Sequence, residues 1–182
     1  MINVEYKAEL RDLRLARIIV GELGARETAV LTQRDTYYKA ESGRLKRREI
    51  STADGAEPDE WISYDRPERV AARLSRYELM SESEARERFG SVLDEQWLVV
   101  AKARELWMLG SVRIHLDNVE GLGRFLELEA VVSPSNNVAR CHEQVTELVN
   151  ALRPALGEPI AASYSDLMQQ QIGDLSEDAG PT

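Results

Sequence analysis

The sequence predicts an α+β fold: an antiparallel β-barrel or tunnel of about eight strands with flanking helices. Three observations point there. Many short segments alternate in polarity with the period of two that a strand requires, and turn residues separate them. On several of these segments the charged residues all fall on one side. Amphipathic helical stretches between the strands supply apolar faces that can cover the outside of a closed sheet.

Taken in order, residues 3–9 place Asn3, Glu5 and Lys7 on one face and Val4 and Tyr6 on the other. Residues 10–23 carry Leu10, Leu13, Ile18 and Leu23 among Arg and Glu and stop at Gly24, as a covering helix would. Residues 29–38 have the threonine and aromatic content of a strand, and Glu41, Ser42 and Gly43 make a turn. The next strand puts Arg44, Lys46 and Arg48 on one side. A polar loop leads to a strand at residues 60–64, which Arg66 and Pro67 end, and residues 71–80 form another with Arg73, Ser75 and Tyr77 on one face. Ser81 and Glu84 are spaced as a capping box for a short helix that ends at Gly90.

Residues 97–108 read as a long strand with Lys102 and Arg104 on one side, and Leu109 and Gly110 turn it into a hairpin at residues 111–131. In that hairpin Arg113, His115 and Asp117 oppose Val112, Ile114 and Leu116, while Glu127 and Glu129 oppose Leu126, Leu128 and Ala130. A helix follows over Val138–Leu152, ended by Pro154, then a short helix around residues 163–168. Residues 1–170 are expected to be one domain and residues 171–182 a disordered acidic tail.

Composition narrows the function. A length of 182 residues with 43% apolar content suits one globular domain, and a net charge of −9 argues against a general nucleic-acid or anionic-membrane binder. The single Cys141 excludes an intramolecular disulfide; it and His142 lie in a helix, where packing or surface roles are expected. No basic segment precedes a long apolar run and no window reaches the length of a membrane span, so a cytoplasmic location is expected.

Antiparallel strands that share a sheet bring their charged sides together, and closing the sheet with its apolar face under the helices turns the charged side into a lumen. Like charges so confined need an occupant. Arg and Lys suit phosphate oxygens, and Glu and Asp suit Mg²⁺ or Mn²⁺, so a metal-bound polyphosphate satisfies both sets. Internal salt bridges without a ligand are the competing arrangement, disfavoured because cations outnumber carboxylates on that face of an acidic protein. A solvated open sheet is the third, and it would show no preference for phosphate.

These segments also resemble a known family. The strand from Asn3 to Lys7, the basic run from Gly43 to Glu49, Lys102-Ala103-Arg104, and Val112 to Asp117 followed by Glu120-Gly121-Leu122-Gly123 and Glu127-Leu128-Glu129 look like the CYTH superfamily of triphosphate tunnel metalloenzymes. That superfamily includes class IV adenylyl cyclases, thiamine triphosphatases and inorganic triphosphatases. The similarity spans residues 3–167.

The resemblance implies an antiparallel barrel, often in a homodimer, holding a nucleoside triphosphate or an inorganic or organic triphosphate with Mg²⁺ or Mn²⁺. Carried over by position, Glu5, Glu127 and Glu129 bind metal, with Asp117 contributing, and Arg44, Lys46, Arg48, Lys102, Arg104 and Arg113 hold phosphates. Lys7 is the implied catalytic residue, orienting or activating the attacking group, with Arg113 or His115 in a similar part.

Tyr64-Asp65-Arg66-Pro67 and Arg73-x-Ser75-Arg76-Tyr77 are similar to the class IV cyclase branch; Arg66 and Arg73 of these segments, and His115 of the later hairpin, are expected substrate contacts. The implied reaction is conversion of ATP to cyclic AMP and pyrophosphate; hydrolysis of tripolyphosphate or thiamine triphosphate is the alternative. Binding without turnover is a third, because Asn3 stands where the family's Glu-x-Glu-x-Lys signature has its first acid.

Overall fold

Each long strand has an apolar side to bury and a charged side that only other charged sides can satisfy, and closing the sheet answers both needs. The computed structural model describes residues 1–65 and 67–178. Its strands are β1 (Ile2–Leu10), β2 (Arg26–Tyr38), β3 (Arg44–Thr52), β4 (Gly55–Ala56), β5 (Glu60–Asp65), β6 (Arg73–Met80), β7 (Gln96–Leu109), β8 (Val112–Val119), β9 (Gly123–Val131) and β10 (Leu156–Pro159). The helices are α1 (Leu13–Glu22), α2 (Glu82–Phe89), α3 (Val138–Leu152) and α4 (Tyr164–Asp178).

Eight of the strands pair antiparallel in the order β1-β6-β5-β3-β2-β7-β8-β9, and β1 pairs again with β9 to close the barrel. The short β4 adds to β3, and β10 adds to the far end of β1. Register decides which charges meet. Lys7 lies opposite Glu127 and Glu5 opposite Glu129 across β1 and β9, and Arg104 lies opposite Asp117 across β7 and β8.

The main hydrophobic core lies outside the barrel. Val4, Ile114, Leu116, Leu126 and Leu128, all buried, point away from the lumen and pack under Ala16 and Val20 of α1 and Cys141, Val145, Leu148 and Leu152 of α3. Cys141 is thus a packed thiol, as its helical context implied. A second apolar cluster joins Leu45, Trp61 and Met80 to Ala85 and Phe89 of α2. A third closes one end of the barrel, where Val100, Val119 and Phe125 meet Tyr164, Leu167 and Met168 of α4.

Element boundaries shift from expectation for identifiable reasons. Leu10 belongs to β1 and is buried in the core instead of opening α1; the helix starts after Asp12, whose carboxylate accepts a hydrogen bond from the Leu15 N–H at 3.0 Å. The capping box at Ser81 and Glu84 forms as expected, with Gly90 ending the helix at φ 51°. β3 runs on through residues expected in a loop because β4 pairs with it. At the β2–β3 turn Gly43 has φ +68°, and a Cβ there would lie 3.0 Å from the Tyr64 carbonyl oxygen. α4 extends to Asp178, past residue 171 where the acidic tail was expected to begin. Arg66 lies outside the described residues. No helix among them is long and apolar enough to cross a membrane.

Because the barrel is held shut from outside, truncating a buried side chain beneath α3 should loosen it. Leu128→Ala is expected to cost about 2–5 kcal/mol of unfolding free energy, measured by urea denaturation; a loss well under this range would show that the outer core does not brace β9.

Candidate active site

Period-two alternation turns Asn3, Glu5 and Lys7 of β1, Lys46 and Arg48 of β3, Lys102 and Arg104 of β7, Arg113 and His115 of β8, and Glu127 and Glu129 of β9 into one cavity of about 410 Å³. The segment entering α4 packs across one end. Ser163 and Tyr164 line the cavity there, and Lys7 Nζ sits 3.7 Å from the centre of the Tyr164 ring while donating to the Ala162 carbonyl at 3.3 Å.

Two ionic clusters occupy opposite walls, since β2 and β3 stand across the barrel from β9 and β1 in the strand order. The first is centred on Asp35, which has no exposed surface. Lys46 and Lys102 each donate to it at 2.8 Å, and Arg48 grips both oxygens at 2.7 and 2.9 Å. One carboxylate therefore faces three cations. Burial alone would raise the Asp35 carboxyl, but Arg48, Lys102 and Lys46 together hold it well below the usual carboxylate range. The amines bear the opposite strain: burial, with Arg48 adjoining, brings Lys46 down to about 7, and burial brings Lys102 down to about 8.

The second cluster is built on the hairpin of β8 and β9. Glu127 meets Lys7 at 3.0 Å and Arg104 at 2.7 Å, and Arg104 also forks onto Asp117 at 2.7 and 2.6 Å. Burial would raise the Glu127 carboxyl, but Lys7, His115 and Arg104 hold it well below its ordinary value. Glu129 lies 3.5 Å from Arg113 and accepts from Asn3 Nδ2 at 3.3 Å. His115, Glu127 and Glu129 offer ligand atoms within 4.8 Å of one another. Two buried atoms beside them, His115 Nδ1 and Asn3 Oδ1, have no hydrogen-bond partner. This donor set, two carboxylates with an imidazole and an amide oxygen nearby, fits a divalent cation.

Not every expected residue reaches the cavity. Asp117 is buried behind Arg104 and also accepts from the Tyr164 hydroxyl at 2.8 Å, so both its oxygens are engaged and it anchors the wall instead of lining it. Arg44 turns to the barrel rim, where Glu68 at 2.8 Å and Asp166 of α4 at 2.7 Å hold it. Arg73 is buried against Glu5 at 3.2 Å, bracing that carboxylate from beneath. Sequence reasoning missed Asp35 and Tyr164. The first had a signal, because the alternation of β2 puts Asp35 on the same side as Gln33 and Tyr37, which line the cavity; the second had none, since only tertiary packing brings α4 to the barrel end.

Known proteins share this architecture. A protein of Methanocaldococcus jannaschii named "Putative adenylate cyclase" is 25% identical over 175 residues, covering 92% of this chain and 98% of the relative. A solved Pyrococcus horikoshii structure superposes with a TM-score of 0.68 at 22% identity, covering 93% of this chain and 99% of that one. The RNA triphosphatase of S. pombe shares the fold more distantly, with a TM-score of 0.51 at 10% identity over 89% of this chain and 86% of that one. The CYTH domain matches residues 1–164, a span that contains all eight barrel strands, and the chain belongs to the CYTH domain family.

Proposed function

We propose that this protein is a metal-dependent enzyme acting on a triphosphate, with cyclisation of ATP to cyclic AMP and pyrophosphate as its reaction. The observation that carries the reading is the Asp35 cluster, two buried lysines and the partly exposed Arg48 on one carboxylate, set across the lumen from Glu127 and Glu129. An anion is the natural complement of the first wall and a cation of the second. The name of the M. jannaschii relative supports the cyclase form.

In this reading Lys46, Arg48 and Lys102 hold phosphate oxygens, with Arg104 of β7 and Arg113 of β8 contributing. His115, Glu127 and Glu129 would hold Mg²⁺ or Mn²⁺, with Glu5 beside them; that ion would supply positive charge against the leaving pyrophosphate. Lys7, which contacts Glu127, the Ala162 carbonyl and the Tyr164 ring, would in this reading orient the attacking ribose 3′-hydroxyl. Hydrolysis is the second reading, because the Asp35 cluster recognises phosphate whatever it is attached to, and water in place of the ribose oxygen would release phosphate. Asn3, which presents an amide to Glu129 where a carboxylate would add charge, favours a third: binding without turnover.

The test is product analysis. Purified protein incubated with ATP or tripolyphosphate and Mg²⁺ or Mn²⁺ should yield cyclic AMP and pyrophosphate from ATP, and Glu129→Ala should abolish the reaction. Orthophosphate from tripolyphosphate would replace the cyclase with a hydrolase, and tight binding without product would leave the binding reading.

The lowered amines give a pH dependence with a definite sign. Lys46 and Lys102 lose charge as pH rises through about 7 and about 8, while a bound polyanion favours their charged forms. Corrected for tripolyphosphate's own ionisation over the same range, metal-free affinity should therefore fall at least tenfold between about pH 6 and about pH 9, with proton uptake by the protein on binding, both read by calorimetry in buffers of different ionisation enthalpy. A flat profile would remove these lysines from the phosphate site. Asp35→Asn leaves the buried Lys46 and Lys102 and the partly exposed Arg48 without a counter-charge and should cost about 3–5 kcal/mol; added tripolyphosphate should raise the variant's Tm more than it raises the wild type's. Equal shifts would contradict an anion cradle at Asp35.

A further inference from the structure

The Asp35 cluster holds a charge imbalance that its own groups leave open. Lys46, Lys102 and Arg48 bring three positive charges to a carboxylate that brings one negative charge, and all three place a donor nitrogen on the same oxygen, Asp35 Oδ2. Like charges so confined draw in an anion or lose a proton. Two of the three are amines, and an amine without its proton is also a nucleophile. Lys46 is the more open of the two, 9% exposed against 2% for Lys102, and both line the cavity. Its Nζ lies 5.6 Å from the centres of the Tyr37 and Tyr64 rings, which line the same space, so it borders apolar surface that admits a small neutral molecule.

Proton loss is easiest at the same amine. Burial, with Arg48 adjoining, brings Lys46 to about 7, below Lys102 at about 8, so near neutral pH its Nζ carries a lone pair in a good share of molecules. Burial lowers Lys7 as well, but its surroundings are of the opposite kind. Glu127 stands 3.0 Å from Lys7 Nζ and the Ala162 carbonyl accepts from it at 3.3 Å, so an anion formed there would face oxygen. An anion formed on Lys46 would have Lys102 and Arg48 for neighbours.

We propose that Lys46 is a site of reversible carbamate formation with carbon dioxide, which turns one of the cluster's three cations into an anion beside Lys102 and Arg48. The unprotonated Nζ gives its lone pair to the carbon of carbon dioxide and a C–N bond forms. One C=O electron pair moves to oxygen and the nitrogen releases a proton to solvent, leaving –NH–COO⁻; nothing is oxidised or reduced. Counted from the ammonium, the cluster passes from an excess of two positive charges to neutrality, with Lys102 and Arg48 matching Asp35 and the carbamate. The regulatory consequence rests on the phosphate-binding reading above: the carbamate takes the place of a phosphate oxygen, so carbon dioxide and a triphosphate exclude each other.

The full chain in EDTA with ¹³C-labelled bicarbonate at about pH 8, where the Lys46 amine is mostly unprotonated, should show a protein-bound carbamate signal by ¹³C NMR. Lys46→Arg should lose the signal and Lys102→Arg should keep it. Trapping the wild-type carbamate with triethyloxonium, followed by peptide mass spectrometry, should place the ethyl ester on Lys46, so the assignment does not depend on how a variant folds. Tripolyphosphate should erase the signal, and enough carbon dioxide to modify half the protein should weaken tripolyphosphate about twofold by calorimetry at fixed pH and ionic strength. No carbamate on the wild type, or one trapped on another residue, overturns the proposal and leaves the phosphate cradle standing. A Lys46 carbamate that persists under saturating tripolyphosphate overturns the mutual exclusion and removes Lys46 from the phosphate site. Failure of the wild type to bind tripolyphosphate at all overturns the cradle, while the NMR and trapping results still decide the carbamate.

Discussion

A single carboxylate with no exposed surface, Asp35, makes the interior of this barrel possible. Lys46, Arg48 and Lys102 come from two strands on either side of β2, and without a shared counter-ion their mutual repulsion in a buried setting would drive β3 and β7 apart. Asp35 compensates one of the three charges, through four short hydrogen bonds. The remaining positive charge cannot be relaxed by moving the side chains into water, because the strand pairing fixes where each emerges. What results is a wall that is stable enough to fold and still electrostatically incomplete.

The free energy that tolerates this incompleteness is gathered elsewhere. The largest apolar cluster lies between the outer faces of β1, β8 and β9 and the helices α1 and α3, and the lumen contributes little to it. Separating the two has a chemical consequence: the interior is released from packing and can be lined by groups chosen for a ligand. The hairpin of β8 and β9 shows the division most clearly. Its even-numbered side chains, Ile114, Leu116, Leu126 and Leu128, are core, while His115, Glu127 and Glu129 on the other side face the cavity and can gather around a metal.

The second cluster is tied to α4 by a chain of contacts. Arg104 bridges Glu127 and Asp117, Asp117 accepts from the Tyr164 hydroxyl, and the Tyr164 ring covers Lys7. The closed end of the cavity is thus part of the site's electrostatics, and Asp117 matters as the link between wall and helix. A carboxylate so placed neutralises Arg104 while leaving Glu127 and Glu129 as the acids presented to the lumen.

How much of this was legible in the sequence follows from what a period of two encodes. Alternation states which side of a strand a residue occupies, and on that basis Glu5, Lys7, Lys46, Arg48, Lys102, Arg104, Arg113, His115, Glu127 and Glu129 were all assigned to the face that lines the cavity. It also separated the core residues of the hairpin from its polar ones, and the motifs along the strands pointed to the family. Alternation says nothing of height along the barrel axis or of which neighbour a side chain reaches. Those depend on the stagger between strands and on helix docking, which is why Arg44 falls at the rim, Asp117 falls behind Arg104, and Asp35, flanked by Arg34 and Thr36 on β2, emerges at the centre of three cations. The sequence by itself determined the sidedness of each strand, a local property of extended backbone; only the closed sheet decided which charges meet, because contacts between residues far apart in the chain exist only once β1 has paired with β9.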